Sequence, residues 1–368
     1  MFLTSSPPAS ERIAIGKPEE VGVSRMNWML VCVPMALALD WFHAPPWVVF
    51  LVSAASIVPL ASLMERATES LAHVLGPNAG GLLSASLGNA PEMIIAISAL
   101  LKGLDEIVKA SIAGSILGNL LFVLGVSMIA GGARKDVQRF NREAASLGSG
   151  LLFLAVVALL VPAIFFHASD SPRREISLEI AAILFVVYVL SLVFSLRTHK
   201  HLLGERTPED TGHTSSHWSV KTAIGVLLGV TITIAIMSEV LTGSVEATAK
   251  LMKLSDVFAG VILLATVGNL AQLINAVRFA RKDNMDLAIG ITVGSSTQIA
   301  LFVAPVLVFV GMFTGTSLDL VFSEFEVIAL AMTVLTVRNL THDGESHWME
   351  GVMLVAVYGI FAIGLFFL

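Results

Sequence analysis

Apolar residues run through this chain in stretches of about 20, separated by short polar segments. A hydrocarbon core of roughly 30 Å takes a helix of that length to cross. The pattern predicts eleven helices, at residues 27–43, 46–65, 80–103, 107–131, 144–167, 176–198, 219–241, 255–281, 286–312, 320–340 and 349–368. A membrane β-barrel would instead show short segments of alternating hydrophobicity. The chain therefore reads as an all-α polytopic membrane protein with about eleven transmembrane helices.

Polar groups interrupt two of these helices in the same way. Gly88-Asn89-Ala90-Pro91-Glu92 in the third helix is followed 180 residues later by Gly268-Asn269-Leu270-Ala271-Gln272 in the eighth. Gly114-Ser115 and Gly294-Ser295 keep the same 180-residue offset, as do Leu121-Phe122 and Leu301-Phe302. Two half-copies of five helices follow, with residues 46–198 (helices 2–6) as one repeat and 219–368 (helices 7–11) as the other. Five is odd, so the second copy is inverted in the membrane, and both motifs fall near mid-helix. Inverted repeats meeting at the midplane are a common plan for alternating-access transport. Residues 27–45 form a peripheral helix outside the repeat. Residues 199–218 form a polar cytoplasmic linker. Residues 1–26, with Pro7, Pro8 and Pro18, read as a mobile cytoplasmic tail without the order of a signal peptide.

Composition supports the membrane reading. Of 368 residues, 55% are hydrophobic and only 14% charged, and the mean hydropathy is +0.84. The net charge of −6 gives no sign of nucleic-acid binding. The single cysteine, Cys32, lies in the first apolar stretch as a buried, inert thiol. With the N-terminus cytoplasmic and the C-terminus outside, 16 of the 22 Lys and Arg residues fall on the inner side and 6 on the outer. The positive-inside rule expects such a bias. The short tail suggests a prokaryotic cytoplasmic membrane.

The central motif carries the chemistry. Glu92 lies 12 residues into the third predicted helix, about 18 Å along it. An ionised carboxylate there costs several kcal/mol unless it is paired, hydrated or bound to a cation. Asn89 and Glu92 share a helix face. Gly88 permits close approach or local unwinding, and Pro91 frees a carbonyl in the preceding turn. Their counterparts are Gly268, Asn269 and Gln272, and Ser115, Ser295 and Gln298 can add oxygens. This is a hard-oxygen set, suited to an ion such as Ca²⁺, which takes six to eight oxygens at about 2.3–2.6 Å. Protons and cations would compete for the one carboxylate, which is enough to couple their opposite movements. The structural alternative is a neutral Glu92 hydrogen-bonded between helices, with the amides and glycines as packing residues.

The motif with its following Gly-Ser-Ile-Leu-Gly-Asn-Leu-Leu at 114–121 resembles the first repeat of the cation/proton exchanger family of Ca²⁺/H⁺ antiporters, within the Ca²⁺/cation antiporter superfamily. Lys282 through Ala288, Gly294 through Ile299 and Asp343 through Gly351 are similar to the second repeat. The resemblance implies one peripheral helix plus two inverted five-helix repeats. It also implies Ca²⁺ transport against H⁺, with an acidic residue in each repeat binding the ion. Glu92 matches the first acid and the proton-coupling role. The second position is Gln272, which keeps a carbonyl oxygen but has no charge and no titratable proton. Exchange of Mn²⁺, Na⁺ or K⁺ for protons, or a transport-impaired variant, are the alternatives this substitution raises.

Four further acids, Glu65 and Glu69 at the cytoplasmic end of the second helix and Glu239 and Glu246 at the outer end of the seventh and just beyond, read by repeat symmetry as two acidic vestibules that concentrate cations. His199, His201, His213 and His217 lie in the linker and read as solvated. Arg134, Lys135, Arg139 and Arg142 form a basic inner loop, read as a topology anchor near anionic lipid. The chain shows no His-Glu-x-x-His, paired aspartates or Gly-x-Ser-x-Gly. It does not read as an enzyme, and no prosthetic group is implied.

Overall fold

The structure, a computed structural model, describes residues 28–133, 135–168, 173–198, 218–316 and 318–367. The tail 1–26, Arg134 and the four linker histidines lie outside the described residues. The helices are α1 (Trp28–Trp41), α2 (Pro46–Gly76), α3 (Ala79–Leu87 and Ala90–Leu101), α4 (Asp105–Gly132), α5 (Arg142–Ala168), α6 (Arg174–Thr198), α7 (Val220–Met252), α8 (Asp256–Arg281), α9 (Met285–Thr314), α10 (Glu324–Leu340) and α11 (Trp348–Phe367). Among the described residues, eight are long and apolar enough to cross a membrane, or nine if the bent α3 is one span. α1, with 10 α-helical residues after a 3₁₀ turn, and α10, with 17, fall short of that length. The outward faces of the helices are apolar, Ile360, Ile363 and Phe367 of α11 being examples, as a lipid-facing bundle requires.

Helix limits differ from the sequence pattern where polar residues are satisfied locally. α2 continues past Glu65 to Gly76, with the Ser70 hydroxyl donating to the Arg66 carbonyl at 2.8 Å. Glu65 and Glu69 therefore lie inside α2 rather than at its end. α7 runs to Met252, and Thr242, Ser244 and Thr248 return their hydroxyls to carbonyls of the preceding turn. Such bonds let polar residues ride inside an apolar helix without unmet donors. α10 begins later than expected because Ser323 and Glu326 form a capping box. Gly76, at φ 78°, makes the left-handed turn between α2 and α3.

Two packing groups emerge. α1, α2 and α7 share one apolar cluster, which includes Phe50, Ile57, Met64, Ile234, Leu241 and Val245 and reaches Ile95 of α3. A larger cluster joins α4, α5, α6, α9, α10 and α11 with the later part of α8, Ala276 and Ala280.

On one membrane face the ends of α4, α8 and α10 are clamped together. The strands β1 (Gln138–Arg139) and β2 (Glu345–Ser346) pair antiparallel. Gln138 Nε2 donates to the Ala280 carbonyl and to Asp283 Oδ1, both at 3.0 Å. Lys135 binds Asp283 and holds its carboxyl below the usual carboxylate range. Arg139 pairs with Glu345, and Arg142 reaches His342. Lys135, Arg139 and Arg142 are thus engaged by protein partners, which corrects their reading as lipid anchors alone. On the other face, Lys109 bonds Glu106 at 2.8 Å, Asp319 at 3.1 Å and the Val321 carbonyl at 3.3 Å.

Gly114 and Gly294 part ways. A Cβ on Gly114 would sit 2.4 Å from the Val261 Cα, whereas one on Gly294 meets nothing within 4 Å. Gly114 lets α4 and α8 cross at backbone contact. Gly114→Ala is expected to lower the thermal midpoint of the purified protein in detergent, at a cost of about 1–3 kcal/mol. Gly294→Ala is expected to leave that midpoint unchanged or raised, and thermal unfolding of the two variants side by side checks this.

Candidate functional site

The two motif helices reach the centre by different local devices. α3 breaks at Gly88-Asn89, where Asn89 has φ −116° and ψ 26°, and its halves are bent by 42°. Pro91 stands in the first turn of the second half, where its missing N–H costs nothing. α8 has Leu270-Ala271 in place of Ala90-Pro91 and runs unbroken through its motif. Its irregularity is a π turn at Ala259–Leu264, ahead of the motif. π turns also occur at Gly118–Val123 in α4 and Ile299–Val303 in α9, close to the 180-residue offset. Such turns widen a helix locally and often mark functional positions.

These breaks bring Asn89, Glu92, Gln272, Ser295 and Gln298 into one hydrogen-bonded group. Gln272 Nε2 donates to Glu92 Oε1 at 2.6 Å, to Asn89 Oδ1 at 3.2 Å and to Ser295 Oγ at 3.3 Å. Ser295 Oγ donates to Asn89 Oδ1 at 2.6 Å. Asn89 Nδ2 donates to Gln298 Oε1 at 2.8 Å and weakly to the Ser295 carbonyl at 3.4 Å. Across the repeat, Asn269 Nδ2 donates to the Ser115 carbonyl at 3.1 Å, the counterpart of the Asn89–Ser295 contact. Ser115 thus enters through its backbone. Gly268 leaves room for the acid, since a Cβ there would lie 2.8 Å from Glu92 Cγ.

Two differences between the halves bear on this group. Gln272 stands opposite Glu92 in the repeat, and Gly118 stands where the other half has Gln298. Asn269 Nδ2 would be 2.7 Å from a Cβ at Gly118, so the glycine accommodates the amide that Gln298 binds in the other half.

Acceptors outnumber donors here. Glu92 Oε2, Gln272 Oε1, Asn269 Oδ1 and Asn119 Oδ1 are all buried with no hydrogen-bond partner. A buried unpaired acceptor costs about 1–3 kcal/mol, more if charged. The four lie on the two motifs and on α4, and oxygens of this kind suit a hard cation. Among the described residues, no group of three His, Cys, Asp or Glu comes together, so amide and hydroxyl oxygens with one carboxylate form the donor set.

Asn119 is a residue the sequence analysis missed. It is fully buried, donates to Ser295 Oγ at 3.1 Å and belongs to the Gly-Ser-Ile-Leu-Gly-Asn segment already singled out. Its repeat counterpart is Ile299, so a search by symmetry alone passes over it. Asn275 was missed too; its Nδ2 donates to Glu65 Oε2 at 2.8 Å.

The other acids separate. Glu69 is half-buried on α2, one turn from Glu65. Glu239 is exposed on α7, and its backbone carbonyl takes the Lys102 ammonium at 2.5 Å. Glu246 pairs with Lys250 at 2.5 Å. At the 180-residue offset Glu65 falls opposite Val245 and Glu246 opposite Arg66. The pairing of the four acids into two symmetric vestibules is therefore corrected: they are not repeat mates, and the structure ties only Glu65 to a motif helix.

Comparison with known proteins agrees with this architecture. The profile of the family described as "Sodium/calcium exchanger protein" matches residues 45–197 and 222–367. A Ca(2+)/H(+) antiporter of Aphanothece halophytica is 41% identical, over 92% of this chain and 95% of that protein. The Ca(2+)/H(+) antiporter ChaA of Bacillus subtilis is 42% identical, over 94% of this chain and 100% of that protein. Native YfkE superposes with a TM-score of 0.80 at 39% identity, over 93% of this chain and 100% of that one. The H+/Ca2+ exchanger CAX shares the fold, with a TM-score of 0.74 at 15% identity over 95% of this chain and 93% of its own. With both halves matched by the family profile and close relatives matched over almost their whole length, this multi-pass membrane chain belongs to the sodium/calcium exchanger protein family.

Proposed function

We propose that the chain is a Ca²⁺/H⁺ antiporter, with Glu92 as its central cation- and proton-binding group. The observation that carries this reading is the set of four buried, unpartnered acceptor oxygens around Glu92 and Gln272. The names of the bacterial relatives support the same pair of substrates. Asn89, Asn269, Gln272, Ser295, Gln298 and Asn119 supply neutral oxygens, and Gly88 and Gly268 give them room. The Gln272 amide holds Glu92 in place when no cation is present. A cation takes over the carboxylate and turns the amide oxygens inward, and a proton on Glu92 releases it. The two five-helix halves, 46–198 and 219–368, alternate access about this site. The clamped face is cytoplasmic, and the host is a bacterial cytoplasmic membrane.

One feature favours a second cation class. The site has one carboxylate, so exchange of one proton for Ca²⁺ moves net charge, whereas exchange for a monovalent ion does not. Flux in proteoliposomes with an imposed pH gradient, comparing Ca²⁺, Mn²⁺, Na⁺ and K⁺, separates these. Proton-driven Ca²⁺ flux is the expected outcome, and flux of Na⁺ or K⁺ alone sinks the Ca²⁺ reading.

Glu92→Gln is expected to cut proton-driven flux by at least about a hundredfold, since it removes the central charge and its proton together. Gln272→Glu is expected to raise proton-coupled Ca²⁺ flux, and uptake that stays flat or falls counts against the site. Asn119→Ala is expected to weaken Ca²⁺ binding by about three- to tenfold, read by calorimetry on purified protein.

A further inference from the structure

A carboxylate stands one turn along α8 from the residue that lacks one. Gln272 and Asn275 are three residues apart, so they share a face of α8 about 4.5 Å apart along its axis. Asn275 Nδ2 holds Glu65 Oε2 at 2.8 Å.

Three observations make this more than a structural hydrogen bond. First, Thr68, one turn from Glu65 on the same face of α2, is 5% exposed, and its hydroxyl has no hydrogen-bond partner. Gln272 is likewise 5% exposed with Oε1 unpartnered. An unpartnered hydroxyl on α2 and an unpartnered amide oxygen on α8 thus stand about one turn along their helices from Glu65 and from Asn275. Second, the repeat does not reproduce the pair. Its counterparts are Val245 and Ile95, 0% and 3% exposed in one apolar cluster. The carboxylate–amide pair thus occupies positions at which the other half has buried aliphatic side chains. Third, the pair bridges the two packing groups, for Met64 beside Glu65 belongs to one and Ala276 beside Asn275 to the other.

We propose that Glu65, oriented by Asn275, is a second acidic station for the transported divalent cation, on the proposed cytoplasmic side of the central site, and that it supplies the negative charge Gln272 lacks. This rests on the antiporter reading above. A divalent cation near one carboxylate and several amides is left under-compensated. A second carboxylate about one helical turn away makes up that charge, with only Asn275 to release.

The test is Ca²⁺ binding by calorimetry and proton-driven Ca²⁺ flux, in the full chain and in a Gln272→Glu background. Glu65→Gln is expected to weaken Ca²⁺ binding by about tenfold or more in the native background. In Gln272→Glu, where the charge is already restored, it is expected to cost less than about threefold. Glu65→Asp keeps the charge and is expected to retain binding. Unchanged binding in Glu65→Gln, or an equal loss in both backgrounds, overturns the proposal. If Glu65→Gln fails to fold, Asn275→Ala leaves the carboxylate in place but untethered; a several-fold weaker affinity supports the station and an unchanged one overturns it. Binding lost in Glu92→Gln but kept in Glu65→Gln removes the station alone. Binding kept in both removes the central site with it.

Discussion

Everything at the centre of this molecule answers to one constraint: a polar atom in the middle of an apolar bundle must find a partner inside the protein or in what the protein carries. Gln272 meets it with its amide nitrogen, which it shares among Glu92, Asn89 and Ser295. Its oxygen, the second oxygen of Glu92 and the amide oxygens of Asn119 and Asn269 do not meet it. Leaving four such atoms unmet is costly, and elsewhere buried hydroxyls such as those of Thr292, Ser296 and Thr297 return to carbonyls of the preceding turn. At the motifs and Asn119 the deficit is confined to carboxylate and amide oxygens. It has one sign, lone pairs without donors, and a cation is the species that would cancel it.

The near-symmetry of the halves makes their differences informative. Asn89 and Asn269 both reach across to a serine carbonyl of the other half, and π turns follow both Gly-Ser pairs. Against this shared frame, three departures stand out: Glu92 faces Gln272, Gln298 faces Gly118, and the pair Glu65 and Asn275 faces Val245 and Ile95. The first departure removes charge from the centre. The third places charge about one turn away, on one side only. A substitution that weakens the centre and a carboxylate that has no mate in the repeat are thus found on adjacent turns of the same path.

Much of the fold was legible because hydrophobic length is a strong signal in membranes. The eleven predicted segments all recur as helices, and the central motif converges as the offset implied. What failed to read was local. Thr242, Ser244 and Thr248 looked like a helix end, yet each satisfies itself against the preceding turn and α7 runs on to Met252. Asn119 carried no charge and no symmetric mate, so nothing in its spacing set it apart from packing amides. Asn275 becomes visible only when α2 is laid against α8, because its partner lies 210 residues away. Glu239 and Glu246 match Glu65 and Glu69 only loosely by repeat symmetry, since the 180-residue offset sets Glu65 opposite Val245 and Glu246 opposite Arg66. The register of the repeat, not the ends of helices, decides which acids correspond.

The packing suggests how such a site can be served from one side. α4, α8 and α10 are tied at one face by a strand pair, side-chain bonds and ion pairs, so their ends behave as one unit. α1, α2 and α7 pack around a second apolar cluster, which Ile95 of α3, Ile107 of α4 and Leu264 and Val267 of α8 also join. Across the seam between groups, the Glu65 side carries a carboxylate–amide hydrogen bond. The opposite side carries buried aliphatic contact around Ile95, Val245 and Leu241, beside the paired Ser98 and Thr242 hydroxyls. Water and ions replace a polar contact at little cost, because each partner is resolvated as it parts. Separating aliphatic surfaces exposes area at about 25 cal/mol per Å² with nothing in return. On these energetics the seam yields first where Glu65 lies, and the charge that guides the cation in stands where the barrier to entry is lowest.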